Sequence, residues 1–196
     1  MSKADRTRQA IIEKAAFIFN HKGYSGTSMN DIMDATGLTK GCIYGNFENK
    51  DEIAIAAFDY NFSYVTSIMK TQILDKVNAI DKLLTYPNTY RNFLRVPFIA
   101  GGCPILNTST EADDTHPLLK KRAVSALKYW QTGIEKIIAR GIEAKEIKPG
   151  TNGAEFAIIL VSLIEGAVMQ AKITNRSTEL DISMDFLEKL IKNLKA

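Results

Sequence analysis

Between Thr27 and Asp51 the chain reads TSMNDIMDATGLTKGCIYGNFENKD, and this segment leaves few folds open. It spells two short helices around a tight turn, the second too small to hold a core alone. Ser28 is placed to cap the first helix, with Asp31 three residues on as its capping-box partner. Ile32, Met33 and Ala35 supply the apolar side. Gly37 falls where the chain must leave a helix in a left-handed conformation, which glycine adopts without a Cβ penalty. Thr39 caps a second helix over Lys40 to Phe47, in which Ile43 and Phe47 share a face at helical spacing. Lys40, Cys42, Tyr44 and Asn46 are left to point outward. A short exposed helix with a lysine, a tyrosine and an amide, braced by a preceding helix, suits a DNA major groove. The expectation is a DNA-reading helix-turn-helix.

The outward residues carry different chemistry. A lysine near the helix start, Lys40, can reach a guanine edge or a phosphate. Tyr44 can meet a phosphate or a thymine methyl. Cys42 shapes the surface beside the bases. Asn46 can read an adenine through its amide or bond within the turn. Thr39 is a helix cap or a DNA contact. Ile32, Leu38, Ile43 and Phe47 are assigned to core.

These residues also carry a family likeness. The series Gly23-Tyr24, Thr27, Ile32, Gly37, Gly41, Tyr44, Phe47 and Lys50 resembles the N-terminal domain of the TetR family of bacterial transcriptional repressors. The resemblance implies that Thr27 and Lys50 grip the phosphate backbone, with Ser28 either joining them or serving only as a cap. Gly45-Asn46 departs from the bulkier His or Tyr residues that the family often carries ahead of the phenylalanine. The resemblance further implies a C-terminal domain with an inducer pocket, whose occupancy spreads two DNA-reading heads.

With 196 residues and 45% apolar content the chain can bury a core, so disorder is not expected. Net charge is +3, too weak to argue for nucleic acid alone. Seven Lys/Arg stand against five Asp/Glu through Lys50, and eighteen against seventeen afterwards. Any DNA binding must then rest on a few placed cations doubled by dimerisation. Two cysteines without CxxC spacing, and no secretory segment over Met1 to Asn20, point to a reducing cytoplasm. No apolar run is expected to reach the roughly 20 residues of a membrane span, so no membrane partner is expected.

Helical periodicity runs through the chain, and no stretch alternates with period two. Predicted helices cover Ala4 to His21, then Asn49 to as far as Val77. Another is predicted over Ala79 to Val96 with a kink or break at Pro87, and others over Pro117 to Lys145, Asn152 to Ile173 and Asp181 to Leu194. Phe98 to His116 is the least helical part. The fold class is all-α: a three-helix head over residues 1–50, and a larger helical ligand-binding and dimerisation domain over 51–196. The last two helices are apolar enough to pair with their copies in a homodimer, as a four-helix bundle. Filling the subunit's own core is the alternative.

The second informative place is Gly101-Gly102-Cys103-Pro104, a glycine-rich break before a short helix and a candidate hinge or pocket wall. Its Gly-Cys-xxx-Asn pattern is similar to a subgroup of the same family. Cys103 at a helix N-terminus would have its thiolate favoured, giving an electrophile or redox sensor, or else it is a small buried residue. Candidate pocket walls are Phe62, Phe93, Phe98, Tyr129, Trp130 and Phe156, with Ile159; Glu165 is a polar anchor, an interface partner or a solvated edge. Only His21 and His116 are present, and neither GK[ST], GxSxG nor HExxH occurs, so neither an enzyme nor a cofactor is expected. Asp113-Asp114-Thr115-His116 could hold a divalent ion, but Asp114 or Thr115 is expected instead to cap the helix at Pro117. The sequence points to a DNA-binding repressor released from a palindromic operator by a small molecule. The alternative is a helical sensor that has lost DNA recognition.

Overall fold

Local capping marks where most of the helices begin. The computed structural model describes residues 2–92 and 101–196. Among these the chain forms α1 (Lys3–Lys22), α2 (Met29–Thr36), α3 (Lys40–Tyr44), α4 (Lys50–Leu74), α5 (Ala79–Tyr90), α6 (Pro104–Ala112), α7 (Pro117–Glu143), α8 (Gly153–Thr174) and α9 (Thr178–Lys192). No strand occurs among the described residues, only an isolated antiparallel bridge between Ile147 and Lys195. The fold is all-α, as expected.

Two compact units are present, one of Met1–Tyr64 with Cys103–Ser125, the other of Val65–Gly102 with Ala126–Ala196. The compact division therefore does not fall at residue 50. Packing adds the start of α4, α6 and the start of α7 to the first three helices.

In the first unit α1 opens on a capping box between Ser2 and Asp5, and buries Ile11, Ala15, Ala16 and Asn20. It ends at Gly23, whose φ of +75° favours glycine and where a Cβ would press on the Glu111 carboxylate and make it shift. Ser28 and Asp31 form the expected capping box of α2, and Gly37 ends that helix in the left-handed region at φ 67°, ψ 16°. Thr39 caps α3 through the Cys42 amide, but the helix ends at Tyr44 instead of Phe47. Ile43 and Phe47 are nevertheless both buried, so the expected core face survives the shorter helix. Asn49 caps α4, accepting from the Glu52 amide at 2.9 Å.

The short helix expected after the glycine-rich break is the nine-residue α6, started by Pro104 in the first turn. One capping expectation needs correction. Neither Asp114 nor Thr115 caps α7: the cap is His116, whose Nδ1 accepts the Leu119 amide at 3.2 Å.

In the second unit α9 packs on both α5 and α8. The buried stripe of α8 is Ala157, Leu160, Val161, Ile164, Ala167, Val168 and Ala171, and that of α9 is Leu180, Met184, Leu187 and Ile191. Arg91 ties α5's end to α9 through Asp185 at 2.6 Å and Glu188 at 2.7 Å. Pro87 lies buried in the last turn of α5, which stops at Tyr90; Val96, the predicted end, lies outside the described residues. α8 also overturns the expectation about membrane spans. At 22 residues it is long and apolar enough to cross a membrane by length and composition, because Glu155, Glu165 and Lys172 are spread too thinly to interrupt it. Its apolar stripe is instead packed against α9.

Candidate nucleic-acid interface

The turn from Gly23 to Thr27 fixes the base of the helix-turn-helix. The Thr27 hydroxyl is buried and donates to the Gly23 carbonyl at 2.6 Å. Lys50, reaching back from α4, donates to the Tyr24 and Thr27 carbonyls at 2.8 and 2.9 Å, and its ammonium lies 4.1 Å from the Tyr24 ring centroid. The Tyr24 hydroxyl donates to Asp51. Burial, then the hydrogen bond to Asp51, then the negative charges of Asp51 and Glu111 push the Tyr24 phenol up to about 12. Glu111 on α6 accepts the Tyr24 and Ser25 amides at 2.6 Å each. His116 packs edge-on against the Tyr24 ring at 4.7 Å.

Against this braced turn stands α3, whose outward side carries exposed and half-buried residues. Tyr44 is 41% exposed, and Thr39 and Lys40 are exposed with it. The Lys40 ammonium is 5.8 Å from the Tyr44 ring centroid, which leaves its charge open to a third party. Cys42 is half-buried and forms no disulfide. Asn46, for which base reading and a bond within the turn were alternatives, donates its amide to the Cys42 carbonyl at 2.9 Å. Ser28 is engaged in its box with Asp31. The Lys22 ammonium, followed by the Ser28 hydroxyl and amide, holds the Asp31 carboxyl well below the usual range.

The structure thus brings Thr39, Lys40, Cys42, Tyr44 and Asn46 together on one short helix and its end. It places Thr27 and Lys50 in the brace beneath, both already hydrogen-bonded. Arg8 was missed at the sequence level: its guanidinium covers the Phe47 ring at 3.9 Å, donates to the Asn46 carbonyl, and bonds Glu52 at 2.7 Å. Glu111 was missed too. It lies 87 residues from Tyr24, and no local pattern announces such a contact.

The ligand-binding candidates are dispersed. Phe62 belongs to the first unit and stacks on Phe58 at 6.3 Å. In the second unit Trp130 is buried between stacking partners, Tyr90 at 5.6 Å and Tyr86 at 6.4 Å, and burial raises the Tyr86 phenol. Its neighbour Tyr129 is 61% exposed. Phe156 and Glu165 are half-buried on α8, and Ile159 is exposed there. Phe93 and Phe98 lie outside the described residues. Cys103 stands at the N-terminus of α6, as expected, but is only 1% exposed. Among the described residues no group of three His, Cys, Asp or Glu could hold a metal ion, the 113–116 stretch included.

Comparison with known proteins agrees over both parts of the chain. Residues 11–57 match the bacterial regulatory proteins of the tetR family, and residues 79–187 match the tetracyclin repressor-like C-terminal domain. A TetR-family transcriptional regulator from Cytophaga hutchinsonii is 44% identical, with TM-score 0.95 over 100% of this chain and 98% of its own. A TetR transcriptional regulator from Chloroflexus aurantiacus is 36% identical, with TM-score 0.95 over the same shares. The HTH-type transcriptional repressor DhaR of Mycobacterium sp. (strain GP1) is 26% identical over 89% of this chain and 86% of its own.

Proposed function

Since the chain belongs to the TetR family of bacterial regulatory proteins, we propose that it is a repressor whose α3 enters the major groove of a palindromic operator. Release then follows when a small molecule occupies its C-terminal half. The observation that carries this reading is the split on α3: Ile43 and Phe47 are buried, while Lys40 and Tyr44 are exposed. On this reading the functional head is residues 1–50, although the compact unit extends beyond it. Thr39, Lys40, Cys42, Tyr44 and Asn46 lie along the groove floor and edge. Thr27, Ser28 and Lys50 approach the phosphates through the turn they hold.

The partner in the dimer is a second copy, meeting through α8 and α9. Ile158, Ile159, Met169 and Ile173 on α8, with Ile182 and Phe186 on α9, are exposed in the single chain. Gly166 lies between Ile159 and Ile173, and a Cβ there would meet nothing within 4 Å, which lets a partner helix approach closely. Two copies present two α3 helices, as an inverted repeat requires. The inducer shifts the population toward a head spacing that does not fit the operator. Its pocket draws on the aromatic residues around Trp130, with Glu165 as polar anchor. Binding rather than turnover is the activity, and it takes place in the bacterial cytoplasm with the chromosome. A gel shift with Lys40→Ala and Tyr44→Ala tests the reading. Both should bind operator more weakly while remaining dimeric, and unchanged affinity in both would refute it.

A further inference from the structure

Seven cations lie in the first fifty residues, and the structure divides them. Three are committed to the fold. Arg8 is held by Asn46, Glu52 and the Phe47 ring, Lys22 pairs with Asp31, and Lys50 is spent on the carbonyls of Tyr24 and Thr27. Lys3, Arg6, Lys14 and Lys40 make no ion pair among the described residues.

Three of these four share a place. Lys3, Arg6 and Lys14, with Thr7 and Ala10, form one wall of a groove of about 420 Å³, and Thr36 and Leu38 form the other. Residues 3, 6, 7, 10 and 14 follow helical spacing, so they make one stripe along α1. No carboxylate lines the groove. Like charges three residues apart, as in Lys3 and Arg6, repel one another across a helix turn, and neither is in an ion pair among the described residues. The far wall is the turn of the helix-turn-helix itself. The next residue, Thr39, caps α3, and Lys40 begins it.

We propose that this groove is a second DNA contact, a track for the phosphate backbone flanking the major groove that α3 enters. It rests on the assignment of α3 as the reading helix and adds a partner surface on α1. Arg6 offers a guanidinium fork to phosphate oxygens and the two lysines offer point charges. A contact to phosphates alone adds affinity without sequence preference. It also accounts for how a chain of net charge +3 binds a polyanion: the unpaired cations of the head are concentrated on this groove and on α3 instead of being spread over the surface.

The test is the salt dependence of binding by the full-length dimer to two duplexes. One is recovered from a random pool by the wild-type protein, the other is of mixed sequence. In Lys3→Ala/Arg6→Ala/Lys14→Ala the slope of log affinity against log salt should become shallower by about 0.9 for each phosphate no longer neutralised, hence by about 2–3 per subunit. Affinity at moderate salt should fall by at least about tenfold on both duplexes, with the preferred sequence unchanged. The control removes the same charge from α7, as Lys121→Ala/Lys128→Ala/Lys136→Ala, and should leave the slope at its wild-type value. A wild-type slope in the α1 variant, or an equal change in the control, overturns the proposal. Failure to recover any preferred duplex would count against α3 as a reader, whereas the mixed-sequence arm still decides the track.

Discussion

The outward face of α3 and the outward face of the α8–α9 pair are both left uncovered by the subunit, and their chemistry is opposite. α3 shows a lysine, a tyrosine and a capping threonine. The α8–α9 face shows Ile158, Ile159, Met169, Ile173, Ile182 and Phe186. An aliphatic face gains roughly 25 cal/mol for each Å² removed from water, so it seeks another apolar surface. A face of donors beside unpaired cations gains little from such burial and much from releasing counterions around a polyanion. On the proposed reading the two partners are therefore of different kinds, a second copy of this chain at one face and DNA at the other. On the same reading the DNA contact depends on the dimer, because each head alone supplies few cations.

The largest effect should come from spoiling the apolar face. Ile182→Glu/Phe186→Glu is expected to give monomers by light scattering, and with the second head gone operator affinity should drop by about 10²–10⁴. A double variant that stays dimeric would remove the second copy from this face. Next come Lys40→Ala and Tyr44→Ala, each expected to weaken operator binding by about 1–3 kcal/mol in a titration, with the dimer intact. Glu111→Ala should be milder. It leaves the half-buried Tyr24 amide without its acceptor, and chemical denaturation should show about 1 kcal/mol of reduced stability. No change would mean that the turn below α3 does not depend on α6.

The smallest effect appears only in alkali. The folded Tyr24 phenol titrates near 12 against an ordinary 10.0. A raised value favours the protonated form in the fold, so its contribution is complete below about pH 10 and is lost as pH climbs toward 12. Thermal melts of the wild type should therefore fall more steeply over that window than those of Tyr24→Phe. Parallel profiles would remove Tyr24 from the brace.

Much of α2 and α3 was legible in the sequence because their signals are local. Ser28 with Asp31, Gly37, Thr39 and Asn49 each act within three or four residues, and the structure places each in its expected cap or turn. Asn46 was legible only as a pair of alternatives, since its amide suits a base edge and a carbonyl equally. What the sequence concealed is contact across distance. Glu111 reaches Tyr24, Arg8 covers Phe47, and the two walls of the α1 groove meet only after folding. The length of α3 was overestimated because Phe47 kept helical spacing while Gly45 had already ended the helix. For the ligand-binding candidates the periodic pattern identified apolar residues without separating the buried Trp130 from the exposed Tyr129, which neighbours it in sequence.

Whether α3 reads DNA as one of a pair can be decided by selecting duplexes from a random pool with the full-length protein. Enrichment of an inverted repeat that binds one dimer is expected, with that preference abolished in Tyr44→Ala. A pool that stays random after repeated rounds, or a selected sequence that Tyr44→Ala and Lys40→Ala bind as tightly as the wild type, would contradict the assignment of α3.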